Sequence, residues 1–162
     1  MKRKSTDELN KILKSNIPIS QYLKENTASF HKLTLPETFE IILKENRISK
    51  AQAVKGSNLE RTNGYQILSG KRNPTRDILL RMCIGMKASS EQTRILLLKI
   101  KAAPLYSKDK RDSVILFGIL HHMNLQEINE LLYQNQLLFW ENKMLHSQTV
   151  GAAVFCYFRL ML

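Results

Sequence analysis

The stretch ISKAQAVKGSNLERTNGYQILSGKRNPT, residues 48–75, constrains the chain most, because it spells two short helices joined by a tight turn and followed by a basic loop. Ser49 can accept a hydrogen bond from a free backbone N–H of the helix it opens, and Gln52 three positions on can answer in a capping box. A helix is therefore predicted over about 50–55. Small or apolar Ala51, Ala53 and Val54 let another helix cross it closely at a steep angle. Gly56, Ser57 and Asn58 break the run, and either Gly56 or Asn58, which accept a left-handed backbone with least strain, turns the chain. Leu59 can plug that turn into the core. Residues 60–68 read as the next helix, with Ile67 and Leu68 inward and Arg61, Thr62, Asn63, Tyr65 and Gln66 as a polar face. Ser69-Gly70 stops it.

The rest of the chain reads as a string of capped helices, with no alternating pattern long enough for a sheet. Ser5 with Glu8 opens an amphipathic helix using Leu9, Ile12 and Leu13; the stretch from Asn16 to Pro18 interrupts it before a short segment around Tyr22 and Leu23. Thr34 with Glu37, and Pro36 between them, opens a helix whose Phe39, Ile42 and Leu43 should face inward. Thr75 precedes a stripe of Ile78, Leu79, Met82 and Cys83, and Ser89 with Gln92 opens a run containing Ile95, Leu96 and Leu98. Beyond a turn at Ala103-Pro104-Leu105-Tyr106, a helix is predicted over 107–123, and Asn124 with Glu127 opens one more. A hydrophobic fraction of 43% suffices for a packed core.

With those elements in place, residues 48–75 resemble the helix-turn-helix of the Cro/repressor-like family, often called XRE. Its usual first-helix opening L-S-Q, turn G-V-S and loop N-G-K-R-x-P-S correspond here to Ile48-Ser49-Lys50, Asn58-Leu59-Glu60 and Ser69-Gly70-Lys71-Arg72-Asn73-Pro74-Thr75, without a gap. The similarity covers roughly 35–101 and implies an all-α fold: a five-helix repressor-like bundle over 34–101. An N-terminal helical arm (1–33) precedes it, and a helical extension (102–136) and an apolar tail (137–162) follow. Residues 60–71, Pro74 to Asp77 (P-x-R-D), Pro104-Leu105-Tyr106 and the R-D-x-x-I-x-F-x-I run at 111–119 also resemble a group of helix-turn-helix proteins from Gram-positive bacteria with such an extension. That extension should pack on the domain or make a dimer contact.

Carried over residue by residue, the resemblance sets Arg61, Thr62 and Gln66 against base edges, with Lys50, Asn63, Ser69, Lys71 and Arg72 near phosphates. The chemistry suits those roles, since Arg can pair with guanine and Gln with adenine, while lysines and free N–H groups at helix starts fix register on phosphate. Two residues depart from the family pattern. Lys50 replaces a usual Gln, which favours phosphate contact. Gly64 replaces a usual apolar core residue, at a cost of about 1 kcal/mol in helix propensity.

Composition agrees with a nucleic-acid partner, which the resemblance implies is double-stranded DNA. The net charge is +11, and the positive excess lies almost entirely before Asp112. Lys11, Lys14, Lys24, Lys99 and Lys101 read as solvated helix faces. Nothing points to an enzyme. No nucleotide-binding glycine pattern occurs, Ser and Asp lack a nucleophile context, and no cofactor or metal is expected. His121-His122 and His146 are the histidines nearest a cluster, but adjacent helical residues diverge by about 100° and no carboxylate has the spacing to complete a site. Cys83 and Cys156 are far apart, as in a reducing cytoplasm, and Cys83 reads as a small buried residue. No segment suggests export or a membrane span.

The tail carries Phe139, Trp140, Phe155, Tyr157 and Phe158, which would form a sticky patch if exposed. Dimerisation, packing on the bundle, a protein-binding role and an end with no selected role all stay open for it. Two functions follow: a sequence-specific DNA-binding regulator, working as a homodimer on a pseudo-palindromic site, or a non-catalytic adaptor that keeps the repressor-like fold and binds a protein.

Overall fold

A computed structural model describes residues 4–30 and 33–140, and all secondary structure among them is helical. The chain divides into two compact units, Met1–Thr34 and Leu35–Leu162. In the first, α1 (Thr6–Leu13) starts at Ser5 with the expected capping box, α2 (Ile19–Glu25) starts after Pro18, and a 3-10 turn covers Thr27–Phe30. Tyr22 and Asn26 are buried, and Asn26 accepts from the Lys4 ammonium at 2.8 Å while donating to the Tyr22 carbonyl. Leu13 and Leu23, read as helix-face residues, are about half exposed.

The second unit holds α3 (Leu35–Glu45), α4 (Lys50–Gly56), α5 (Arg61–Leu68), α6 (Arg76–Gly85), α7 (Ser90–Lys99), α8 (Lys110–Leu120) and α9 (Leu125–Gln134). Helix α6 is its hub: Leu79, Leu80, Met82, Cys83 and Ile84 are buried, and the helix packs on α4, α7 and α9. Phe39, Ile42 and Leu43 of α3 enter the same core, as do Leu96 and Leu97 of α7, whereas Ile95 and Leu98 stay exposed.

One device ends α3, α6, α7, α8 and α9. Arg47, Lys87, Lys101, His122 and Gln136 take left-handed φ values between 51° and 57°. The next N–H then reaches back five residues, as Ile48 does to the Leu43 carbonyl and Met123 to the Gly118 carbonyl, each at 2.9 Å. For a residue with a side chain this backbone costs roughly 1–2 kcal/mol, offset by the recovered carbonyl bonds and the apolar contact of the following residue. At Arg47-Ile48-Ser49, Lys87-Ala88-Ser89 and His122-Met123-Asn124 the third residue is at once the capping-box start of the next helix. Three helix pairs are thus joined by the same tripeptide geometry.

Helices α4 and α6 cross backbone to backbone. A Cβ on Gly85 would stand 2.2 Å from the Ala53 carbonyl oxygen and 2.6 Å from the Ser57 nitrogen, and one on Gly56 would stand 3.0 Å from the Gly85 Cα. Gly56 therefore lies inside α4 instead of breaking it, and Asn58, with φ 50°, turns the chain.

Helix α8 is tied to α6 by charge. Arg76 donates to Asp112 at 2.7 Å and to the Ala103 carbonyl at 3.0 Å, while Arg111 makes a two-pronged pair with Asp77 at 2.9 and 3.0 Å. Two Arg-Asp dipeptides thus pair crosswise, and Asp112 also accepts from the Tyr106 N–H. Arg111 further donates to the Leu138 carbonyl and lies 5.4 Å from the centre of the Trp140 ring. Trp140 is 5% exposed, and its backbone exchanges two hydrogen bonds with the Asn129 amide. Phe139 packs edge-on to Tyr133. Of the readings left open for the tail, packing on the bundle holds at its start: Trp140 is buried and Leu137 and Phe139 pack against the core, while Leu138 is exposed. Phe155, Tyr157 and Phe158 lie outside the described residues.

Candidate nucleic-acid interface

The two helices singled out in the sequence form a capped pair. Ser49 accepts from the Gln52 N–H at 3.1 Å, Gln52 answers at 2.8 Å, and Ala53 and Val54 face inward. Ser57 is buried and donates its hydroxyl to the Val54 carbonyl; Leu59 packs against the core, as expected. Helix α5 then begins at Arg61, one residue later than read, because Glu60 is its cap. The Glu60 carboxylate accepts from the Thr62 and Asn63 N–H groups, both at 2.9 Å. Two of the first donors of α5 are therefore already satisfied by a negative charge and are not free for a phosphate.

Gly64, Ile67 and Leu68 are the buried face of α5. A Cβ on Gly64 would fall 2.6 Å from Val54 Cγ1, so the missing side chain is the space that Val54 fills. What reads as a weak point of the helix is its contact with α4. On the outer side Arg61, Thr62 and Ser69 are exposed and Gln66 is half-buried. Thr62, Gln66 and Ser69, spaced four and three residues apart, share one line along the helix, with Arg61 beside it. The Arg61 guanidinium lies 6.0 Å from the centre of the Tyr65 ring. Tyr65, assigned to the polar face, instead rests partly on the core.

The phosphate group of residues is less uniform. Lys71 and Arg72 are exposed on a loop that leaves α5 through Gly70, at φ 76°, and is tied back where the Arg72 N–H meets the Gln66 carbonyl at 3.2 Å. Ser69 caps the C-terminus of α5 and gives its hydroxyl to Gln66. Lys50 is paired with Glu40 at 3.0 Å, an exposed pair that a phosphate could displace at small cost. Asn63 is half-buried, with its side-chain carbonyl oxygen buried and unpartnered and its backbone N–H taken by Glu60. A shallow cleft of about 220 Å³ between the two helices is lined by Ala51, Val54, Lys55, Leu59, Arg61 and Tyr65.

Two residues that shape this region escaped the sequence reading. Glu60 ranks poorly among capping residues, so nothing local marked it. Arg81 lies on α6, within an otherwise apolar segment, and donates from Nε to the Ser57 carbonyl at 3.0 Å and from its terminal nitrogen to the Asn58 carbonyl. Burial lowers its pKa from the ordinary arginine value.

Elsewhere the chemistry is quiet. Burial pushes the Cys83 thiol up to about 12, in keeping with a small core residue. His121 stacks on Phe117 and sets Nδ1 2.9 Å from its carbonyl oxygen, while His122 ends α8 in the left-handed region; His146 and Cys156 lie outside the described residues. Among the described residues no group of His, Cys, Asp and Glu could hold a metal ion, and no helix is long and apolar enough to cross a membrane. Comparisons of the chain with protein-family models, curated proteins and solved structures find no match.

Proposed function

We propose that the chain is a Cro/repressor-like, non-catalytic transcriptional regulator that reads double-stranded DNA by laying α5 in the major groove. The observation that supports this most is the outer face of α5: Arg61, Thr62 and Gln66 lie on its outer side, and the exposed Lys71-Arg72 loop follows directly. A guanine edge suits Arg61 and an adenine edge suits Gln66, each good pair contributing about 1–3 kcal/mol of discrimination. The loop cations hold register on the phosphates.

The test is fluorescence anisotropy of the full chain on its own upstream DNA and on a scrambled duplex, across a salt series. A preference of about 10³ or more is expected. Arg61→Ala with Gln66→Ala should remove the preference, and Lys71→Ala should weaken both duplexes alike and lower the salt slope by about one. Equal, steeply salt-dependent binding to both duplexes would reduce the protein to a polyanion binder.

A second reading, a protein-binding adaptor, is favoured by one feature: the Glu60 carboxylate sits at the start of α5, beside a cleft floored by Val54 and Leu59. No binding to either duplex would select it.

A further inference from the structure

Arg81 stands in the otherwise apolar middle of α6, between Leu80 and Met82, both fully buried. Its fork reaches back to two consecutive carbonyls, those of Ser57 and Asn58. Ser57 is the C-cap of α4 and Asn58 is the left-handed residue that turns the chain. Carbonyls at a helix end lack the next turn's N–H groups, so they need an outside donor. A planar guanidinium can satisfy two neighbours at once, and a lysine ammonium cannot match that fork. A few residues away, the Gly56–Gly85 approach keeps α4 from sliding along α6. The turn is thus held from outside by α6, and α5 starts three positions after Asn58.

We infer that Arg81 is a positioning residue: by holding the Ser57 and Asn58 carbonyls it sets the pose of α5, and through that pose the base preference of the protein. The second half of this statement rests on the DNA-reading function proposed above. Arg81 touches no base and no phosphate in this scheme. Its removal should blur which sequence is chosen while leaving general attraction to DNA in place.

The experiment uses the full chain with Arg81→Met, which keeps a long apolar stem, and Arg81→Lys, which keeps the charge. Hydrogen exchange without DNA is followed on peptides from 57–68 and on peptides from α3, α7 and α9. Exchange over 57–68 should rise about tenfold or more in Arg81→Met, with the other helices unchanged, as for a local opening. Arg81→Lys should fall between the two, having one donor point in place of a fork. In anisotropy the preferred duplex should lose about tenfold in affinity, while the scrambled duplex and the salt slope stay as in the parent, because the phosphate contacts are intact.

Unchanged exchange over 57–68 would overturn the positioning role, whatever the DNA result. So would a uniform rise in all peptides, which would make Arg81 a general stability residue. Full rescue by Arg81→Lys would show that the fork is not required. Loosened α5 with undiminished preference would overturn the link to base choice. If the parent chain itself shows no preference, the DNA reading and the base-preference half fall together, and the exchange arm still decides whether Arg81 positions α5.

Discussion

Helices α4 and α8 are both joined to α6, in opposite ways. Helix α4 meets α6 through bare backbone, glycine against glycine, with no room for a Cβ. Helix α8 is tied to it at longer reach, through Arg76–Asp112 and Asp77–Arg111. The first junction is governed by shape and should ignore salt and charge. The second is governed by paired, partly dehydrated ions and should tolerate small changes in volume. The contrast also sorts the motifs. Arg61 and Lys71 of the first motif face outward, whereas P-x-R-D and the R-D of 111–112 are spent on cohesion.

Substitutions at five positions would break or sharpen this contrast. Gly85→Val should do most damage, because even its Cβ would collide with the Ala53 carbonyl; a loss of roughly 3 kcal/mol in urea unfolding, unchanged by salt, is expected. A loss below 1 kcal/mol would mean that the crossing can open freely. Asp112→Ala leaves Arg76 without its carboxylate, with only backbone carbonyls as acceptors, and the Tyr106 N–H without its acceptor, at a site where the carboxylate is 10% exposed. Breaking such a pair should cost about 2–3 kcal/mol, since the stranded cation is still partly hydrated. Asp112→Asn should recover part of that through its remaining oxygen.

Smaller effects come from the caps. Ser49→Ala and Asn124→Ala remove matching capping boxes, one from α4 and one from α9, and each should cost about 1 kcal/mol in the same unfolding assay. Unfolding transitions that differ between circular dichroism and tryptophan fluorescence would show that the two caps belong to separately unfolding parts. Glu60→Gln keeps one acceptor oxygen and loses the other, so one of the two cap bonds goes with the charge, at a cost of about 0.5–1 kcal/mol. It should tighten binding to a scrambled duplex several-fold, because a negative charge leaves the start of α5. Weaker binding in that titration would place Glu60 among the DNA contacts.

Four helix starts were legible because their signals are local, whereas α5 starts one residue later than read, behind Glu60, and α8 (Lys110–Leu120) is shorter than the expected 107–123, starting behind Asp109. Ser5-Glu8, Ser49-Gln52, Ser89-Gln92 and Asn124-Glu127 each close within one turn, and each box is formed. Helix ends were not, since the left-handed positions carry Arg, Lys, His and Gln where glycine would have announced them. Gly56 and Gly64 misled for a related reason: propensity treats glycine as a defect, and here tertiary contact with Gly85 and Val54 sets its value. The outer face of α5 could be read from helical periodicity. The fork of Arg81 could not, because it spans 24 residues between Ser57 and its donor. Nor could the docking of Trp140, which depends on Asn129 and Arg111 meeting it from two other helices.

The lone tryptophan of the chain sits at that docking point, against the guanidinium that also binds Asp77 of α6. The protein therefore carries a built-in optical probe. Indole emission shifts to the red when the ring meets water, so loosening of the junction between α6, α8 and residues 137–140 can be watched in unlabelled protein. Stopped-flow unfolding could use it to time the release of the α8–α9 side against the loss of total helicity.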